Sequence, residues 1–264
     1  MEKGYPMQEI INGLKISYKT AGEGAPVLFL HGWGSCADSF APVFNELSRS
    51  RKVYAIDFPG FGESDQPGSA YHVDEYMEIT AEFIRRMGIE GCDVICHSFG
   101  GRVTILLAAT YPDMIKRAVL TDAAGLIPKR TLKYYIKVYR YKLAKKLIKV
   151  RPVKGFLKVL GVDLEKKVSS AGSEDYRKLS GIMRQTFVNV VNQDLRPYLK
   201  DIKASCLLIY GENDKDTPVY FGEIMEKEIK DAGLVVLKDA GHFSYLDQYP
   251  RYMSIVKSFL EVKG

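Results

Sequence analysis

The stretch Asp93-Val94-Ile95-Cys96-His97-Ser98-Phe99-Gly100-Gly101 decides how the rest of the chain is interpreted. A short apolar run typical of a buried strand precedes the serine, and residues 102–109 have the apolar pattern of a helix. A serine between a strand and a helix, with glycine two positions later, has the layout of a nucleophile elbow, a strained turn that exposes the hydroxyl. Cys96 stands where the usual pattern has a first glycine. Because serines in glycine-rich turns are often only turn residues, Ser98 is at this point a candidate nucleophile.

Composition indicates a globular protein of ordinary type. The chain has 264 residues, 46% hydrophobic and 27% charged, which is enough for one large α/β domain or a domain with an insertion. No run of 18 apolar residues suggests a membrane span, and residues 1–20 lack the apolar core of a secretory signal. The four cysteines have neither metal-type spacing nor disulfide-rich density. We therefore expect reduced thiols, no metal site and a cytoplasmic location.

Strand-like and helix-like segments alternate along much of the chain. Asn12-Gly13 between 9–11 and 15–18 predicts an antiparallel hairpin. Further strands are predicted at 26–30, 52–56, 93–95, 117–121, 205–210 and 234–237. Helices are predicted around 39–50, 74–87, 102–109, 175–192, 219–231 and 248–261. This alternation favours an α/β fold whose mainly parallel central sheet has helices on both faces.

Polar residues follow the predicted parallel strands. His31, Asp57, Ser98 and Asp122 all come directly after such a strand. Because sites in parallel sheets form at the carboxyl ends of the strands, these four residues are expected at one edge of the sheet.

The middle of the chain is strongly basic. Residues 129–167 contain 14 Lys or Arg and only two acids, a net charge of +12 against +6 for the whole chain. Apolar residues recur there at spacings of three and four, which predicts a basic amphipathic helix over about 132–150. Its lysines are interpreted as a solvated face; the alternatives are a pocket that favours an anionic substrate, or contact with an anionic membrane surface. Nucleic-acid binding is not expected, because the charge is local and no base-stacking module accompanies it.

Three motifs in this order resemble the α/β-hydrolase fold family: His31-Gly32-Trp33-Gly34, the loop 57–64 (Asp-Phe-Pro-Gly-Phe-Gly-Glu-Ser) and the stretch around Ser98. The resemblance covers about 5–125 and from about 200 to the end. It implies a core of residues 1–125 and 199–264 with an inserted helical cap, or lid, at 126–198. It also implies an oxyanion hole formed by the backbone N–H groups of Trp33 and Phe99. The loop 57–64 is interpreted as structural, and the alternative for His31-Gly32 is a plain turn with a hydrogen-bonded histidine.

The family pattern supplies two partners for the serine. Asp214 follows the strand 205–210, and His242 follows the last predicted strand, so acid and histidine come after the serine in the expected order. A histidine can take the serine proton near neutral pH, and an acid can fix its tautomer. Asp216 and Asp122 are alternative acids. Of the other histidines, His97 is set aside because adjacent side chains on an extended segment point apart.

The sequence thus predicts a serine hydrolase that cleaves the carboxylic ester of a small or medium substrate through an acyl-enzyme. Ser98, Asp214 and His242 are the predicted catalytic residues, and no metal or organic cofactor is implied. The predicted partner is a small acyl substrate, anionic in one interpretation of the cap; the oligomeric state is left open. Alternatives with the same triad are a thioesterase, a carbon–carbon bond hydrolase and a lyase-type relative; a further alternative is a catalytically silent small-ligand-binding protein. Serine at the elbow argues against dehalogenase or epoxide-hydrolase chemistry, which uses a carboxylate nucleophile there.

Overall fold

The computed structural model describes residues 5–128, 136, 139 and 179–262. Within these residues, eight strands form one sheet in the order β1-β2-β4-β3-β5-β6-β7-β8. The strands are β1 Tyr5–Ile11, β2 Leu14–Ala21, β3 Pro26–Leu30, β4 Lys52–Ile56, β5 Cys92–His97, β6 Ile115–Thr121, β7 Ser205–Gly211 and β8 Ala232–Leu237. β1, β2 and β4 pair antiparallel, whereas every pair from β4 through β3 to β8 is parallel.

The described helices connect and cover these strands. They are α1 Ala41–Leu47, α2 Val73–Met87, α3 Phe99–Thr110, α4 Gly181–Asn192, α5 Tyr220–Glu228, α6 Ser244–Asp247 and α7 Tyr249–Phe259. Two 3-10 segments, Ala37–Phe40 and Arg196–Asp201, precede α1 and β7. In the described part of the chain no helix is both long and apolar enough to cross a bilayer.

The first two strands form the hairpin that Asn12-Gly13 predicts. Ile11 pairs with Leu14, and the two turn residues have φ angles of 50° and 79°. A two-residue turn of this kind needs positive φ at both positions, which asparagine and glycine tolerate better than other residues. The hairpin prediction is therefore confirmed.

The central parallel strands β3 and β5 are buried on both faces because helices cover each side of the sheet. In β3, Leu28 and Leu30 join a cluster with apolar residues of α2, α3 and α5, while Val27 and Phe29 join a cluster with those of α1, α6 and α7. Double burial explains why β3 is a continuous apolar run rather than an alternating one. The predicted fold class, a mainly parallel central sheet with helices on both faces, is confirmed.

One predicted helix differs from the observed structure, and one short observed helix was not predicted. Around 39–50 a 3-10 turn precedes the short helix α1. The helix predicted over 248–261 is confirmed as α7. The short helix α6 precedes it and was not predicted; Gln248, whose φ of −124° and ψ of 43° are not helical, separates the two. Pro250 lies in the first turn of α7, where its missing N–H and fixed φ suit a helix start rather than a helix interior.

The predicted cap spans residues 126–198, and its last part, residues 179–198, is described. The helix α4 in this part packs against the core. In α4, Thr186 Oγ1 accepts a hydrogen bond of 3.1 Å from the Tyr71 backbone N–H. The Phe187 ring contacts the Trp33 ring at a centroid distance of 5.2 Å. α4 therefore lies beside the turn that follows β3. The basic amphipathic helix predicted over about 132–150 lies outside the described residues except for positions 136 and 139, and the cap boundaries stay a prediction.

The turn between β5 and α3 brings the start of α3 very close to the neighbouring strand. A Cβ added at Gly100 would lie 2.1 Å from the backbone oxygen of Leu30. At Gly101 an added Cβ would lie 2.5 Å from the Ala123 Cβ. The Leu30 oxygen belongs to the backbone of the central strand β3 and cannot move aside. Gly100 therefore has no room for a side chain. The two glycines thus let α3 begin directly above the sheet, immediately after Ser98.

Gly100→Ala should destabilise the protein because the added methyl group forces α3 away from β3. We expect the free energy of unfolding, measured in urea, to fall by about 1–3 kcal/mol. Gly68→Ala is the matched control, since an added Cβ at Gly68 meets nothing within 4 Å. That control should stay within about 0.5 kcal/mol of the parent. Equal stability of the two variants would contradict the close approach at Gly100.

Candidate active site

Ser98 occupies a strained backbone position between β5 and α3. Its φ is 49° and its ψ is −107°, a conformation that residues with a side chain rarely adopt. Three backbone hydrogen bonds hold it: its N–H donates to Thr121 O at 3.1 Å, and its carbonyl accepts from Gly101 N at 3.0 Å and Ala124 N at 2.9 Å. The strained turn predicted around Ser98 is therefore present.

Ser98 Oγ, a histidine and an acid form one continuous hydrogen-bonded array. The distance from Ser98 Oγ to His242 Nε2 is 3.0 Å, and His242 Nδ1 lies 2.8 Å from Asp214 Oδ2. Because a carboxylate oxygen only accepts, Nδ1 carries the ring hydrogen and Nε2 is left to accept the Ser98 proton. The three residues follow β5, β7 and β8, so the parallel sheet assembles the array at the carboxyl ends of its strands.

Asp214 is buried and every contact of its carboxylate comes from a donor. Oδ1 accepts the backbone N–H groups of Asp216 at 2.8 Å and Thr217 at 3.1 Å. Oδ2 accepts the Thr217 hydroxyl at 2.6 Å and the His242 ring N–H. Burial opposes ionisation, but the hydrogen bonds from His242 and Thr217 outweigh it and hold the pKa of Asp214 below its usual value. Asp214 is therefore ionised at neutral pH.

His242 is poised to hold a proton. Burial by itself would lower its pKa, but the hydrogen bond and negative charge of Asp214 exceed that effect, and the pKa of His242 is raised above its usual value. The imidazolium formed when His242 accepts a proton is thus stabilised in place. The arrangement can remove a proton from Ser98 and stabilise the resulting cation.

The two predicted oxyanion donors belong to the segments that follow β3 and β5, which are neighbouring strands of the sheet. Trp33 is in the turn after β3, and Phe99 is the first residue of α3. Their rings contact each other at a centroid distance of 5.3 Å. Within the described residues neither backbone N–H donates to a protein acceptor, as expected of the first N–H of a helix. Both N–H groups are therefore available to an oxygen atom of a ligand.

His31 and Asp57 serve the loops rather than the array. His31 is fully buried; its Nδ1–H donates to Gly32 O at 2.7 Å and its Nε2 accepts from the Phe58 N–H at 3.0 Å. Burial lowers its pKa to about 4, so the ring is neutral. Asp57 Oδ1 accepts the Ala37 N–H at 2.7 Å. These contacts agree with a hydrogen-bonded histidine in the turn after β3 and with a structural loop at 57–64.

The structure places Asp214, and neither alternative acid, against His242. The carboxylate of Asp122 accepts the Gly211 N–H at 2.8 Å and the Ser244 N–H at 3.0 Å, and burial raises its pKa to about 7. Asp216 is exposed and contributes its backbone N–H to Asp214.

Ligand atoms of Asp214, Asp216 and His242 lie within 4.8 Å of one another, a spacing that a metal ion could use. Such an ion would compete with the hydrogen bond between His242 and Asp214. The geometry of the array therefore argues for these groups as a proton-transfer set.

Two residues of the site were not among the sequence-based candidates. His97 Nε2 donates to the backbone carbonyl of His242 at 2.6 Å, and the His97 ring centroid lies 4.8 Å from that of His242. Thr217 contacts Asp214 as described above. Its position three residues after Asp214, typical of a side-chain-stabilised turn, is the one signal in the sequence that could have singled it out. The role of His97 depends on tertiary packing and leaves no local signal.

The cysteines take no part in the array. All four are free, and Cys96 is buried in β5, where its thiol donates to Val119 O at 3.5 Å. Burial raises the pKa of Cys96 to about 12. The Cys96 thiol is therefore protonated and unreactive beneath the elbow.

The chain is similar to several known proteins. A family model described as the alpha/beta hydrolase fold matches residues 25–249. The AB hydrolase superfamily protein YisY of Bacillus subtilis (strain 168) is 26% identical over 258 residues, 90% of this chain and 92% of that protein. A 2-hydroxymuconate semialdehyde hydrolase of Pseudomonas sp. (strain CF600) is 25% identical over 262 residues, 95% of this chain and 92% of that protein.

A solved structure shows the same likeness in three dimensions. The esterase EaEST from Exiguobacterium antarcticum matches with a TM-score of 0.75 and 22% identity, covering 98% of this chain and 100% of that one. At this level of identity the likeness concerns the fold. The family model covers most of the chain, including the array residues Ser98, Asp214 and His242. The chain belongs to the alpha/beta hydrolase fold family.

Proposed function

We propose that this protein is a serine hydrolase that cleaves carboxylic esters through an acyl-enzyme on Ser98. The observation that carries the proposal is the continuous array from Ser98 Oγ to His242 Nε2 at 3.0 Å and from His242 Nδ1 to Asp214 Oδ2 at 2.8 Å. A serine hydroxyl is too weakly acidic to attack an acyl carbon unaided, and such an array supplies the base that it needs.

In the proposed reaction, His242 Nε2 takes the Ser98 proton while Oγ forms a bond to the acyl carbon. The carbonyl oxygen becomes an oxyanion, which the backbone N–H groups of Trp33 and Phe99 receive. The carbon–oxygen bond to the alcohol then breaks, and His242 returns the proton to the alcohol oxygen. Water repeats the sequence: His242 takes a proton from water, the hydroxide attacks the acyl carbon, and Ser98 leaves with that proton.

The surroundings of Ser98 favour an acyl group with apolar character. The Trp33 ring contacts the rings of Phe61, Phe99 and Phe187 at 4.9, 5.3 and 5.2 Å. Phe243, next to His242, is 48% exposed. Aromatic side chains beside a few directed polar groups are the usual composition of a small-molecule site. They support a small or medium acyl substrate rather than a highly polar one.

Carbon–carbon bond hydrolysis is the second candidate. Its support is the 25% identity, over 95% of this chain, to a protein named as a 2-hydroxymuconate semialdehyde hydrolase. The same array would serve, but the departing atom that receives a proton would be carbon rather than oxygen. The two activities therefore differ in leaving group and not in the geometry of Ser98, His242 and Asp214.

A labelling and substrate experiment separates these functions. We expect a fluorophosphonate probe to label the protein and to fail with Ser98→Ala, because phosphonylation needs an activated serine. p-Nitrophenyl esters of increasing acyl length, a matched thioester and 2-hydroxymuconate semialdehyde are then compared by kcat/KM, with the esters expected to be fastest. Faster turnover of the semialdehyde would favour the second candidate. Absence of labelling in protein that is folded by circular dichroism would contradict a serine hydrolase.

Replacement of the two buried acids tests which one supports His242. Asp214→Asn should lower kcat for an ester by about 10³- to 10⁴-fold, the order seen when the acid of a serine protease triad is amidated. Asp122→Asn is the control; it removes a carboxylate that accepts two loop N–H groups but does not touch His242, so its kcat loss should be far smaller. Circular dichroism establishes that both variants are folded. A larger loss in Asp122→Asn would assign the acid to Asp122.

A further inference from the structure

Thr217 lies at the centre of the groups that surround the acid. It is 4% exposed, and its Oγ1 is 2.6 Å from Asp214 Oδ2, 3.2 Å from His242 Nδ1 and 2.9 Å from the backbone oxygen of Asp122. One hydroxyl thus touches both members of the histidine–acid pair as well as the end of β6. Among the described residues, Thr217 is the one whose side chain is hydrogen-bonded to the side chains of both Asp214 and His242.

The single hydrogen of this hydroxyl has a preferred acceptor. Asp214 Oδ2 and Asp122 O can only accept, so the Thr217 hydrogen is directed at one of them. Bonds to an ionised carboxylate are shorter and stronger than bonds to a neutral carbonyl, and Oδ2 is the nearer atom. The hydroxyl therefore donates to Asp214 Oδ2. Its lone pairs face His242 Nδ1–H, which is shared between Oδ2 and Oγ1.

We propose that Thr217 is a positioning residue of the array, an inference that rests on the proposed function. The Thr217 hydroxyl and the His242 ring N–H both donate to Asp214 Oδ2, so the hydroxyl weakens the pull of Oδ2 on the His242 proton and sets the pH at which His242 becomes a base.

The orientation of the carboxylate does not depend on this hydroxyl. Asp214 Oδ1 is already held by the backbone N–H groups of Asp216 and Thr217, which a side-chain replacement leaves in place. Loss of the hydroxyl therefore changes the charge at Oδ2 more than its position. With one donor fewer, Oδ2 attracts the His242 proton more strongly, and His242 stays protonated to a higher pH.

The other charged and titratable groups near His242 are unchanged by this substitution. Asp122 and Asp216 add negative charge at a distance, and both favour the protonated form of His242. The ring centroid of His97 lies 4.8 Å from that of His242. Burial is the main cause that lowers the pKa of His97 to about 3, and the nearby His242 is a second cause, so His97 is neutral. A shift in the titration of His242 in a Thr217 variant is therefore attributable to the hydroxyl.

The test compares Thr217→Val, which keeps the shape and loses the hydroxyl, with Thr217→Ser, which keeps the hydroxyl. The rate of fluorophosphonate labelling of Ser98 is measured against pH. In Thr217→Val the acid limb of the profile of labelling rate against pH should move up by about one pH unit, so that labelling at a pH on this limb is about tenfold slower than in the parent. The plateau rate at high pH should stay within about twofold of the parent rate. Thr217→Ser should follow the parent. Thr217→Ala gives the same comparison if the valine variant does not fold.

A merely structural role predicts a different result. If labelling falls by the same factor at every pH, or if Thr217→Val follows the parent at every pH, the inference is wrong. The downfield ¹H NMR resonance of His242 Nδ1–H is a measurement independent of reactivity. It should move in Thr217→Val and stay in Thr217→Ser, and an unmoved resonance contradicts the inference. Absence of labelling in the parent protein would instead overturn the proposed function, with the NMR comparison still deciding the role of Thr217.

Discussion

The conformation of Ser98 is the constraint on which the rest of the site depends. A residue with a side chain at φ 49° and ψ −107° costs about 1–3 kcal/mol relative to relaxed backbone, and it persists only where the surroundings determine it. Hydrogen bonds to Thr121 and from Ala124 tie this residue to the end of β6 and the segment after it. The absence of a side chain at Gly100 lets α3 approach the oxygen of Leu30. The strain is thus offset by the sheet and the helix that meet at the turn.

The remaining parts of the site are held together by acceptors at the ends of the strands. Asp122 joins the end of β6 to the end of β7 and to the start of α6, because its carboxylate accepts the N–H groups of Gly211 and Ser244. His97, the last residue of β5, donates to the backbone carbonyl of His242. The loops that carry Asp214 and His242 are therefore fixed relative to β5 by buried hydrogen bonds, whose loss in a buried site is costly. Rigid placement of this kind is what proton transfer between Ser98 and His242 requires.

Much of the fold can be predicted from the sequence because local patterns determine it. The apolar run at 26–30 and the Asn12-Gly13 turn predict their elements directly, since double burial and positive φ each restrict residue type. The helix α6 was not predicted, because a segment of four residues is too short to have a helical periodicity. The approach of Asp214 to His242 follows from strand order and was predicted from the family pattern. The contacts of His97 depend on which side chains the packed loops bring together, and no spacing in the sequence encodes them.

Detection of the acyl group on Ser98 is the measurement that tests the central claim most directly. The protein is mixed with p-nitrophenyl butyrate, quenched in acid within the first turnovers, digested and examined by mass spectrometry. We predict a butyryl adduct on the peptide that contains Ser98, and none on that peptide in Ser98→Ala. Ester turnover without an adduct on Ser98, or an adduct that forms on another residue during turnover, would contradict the account.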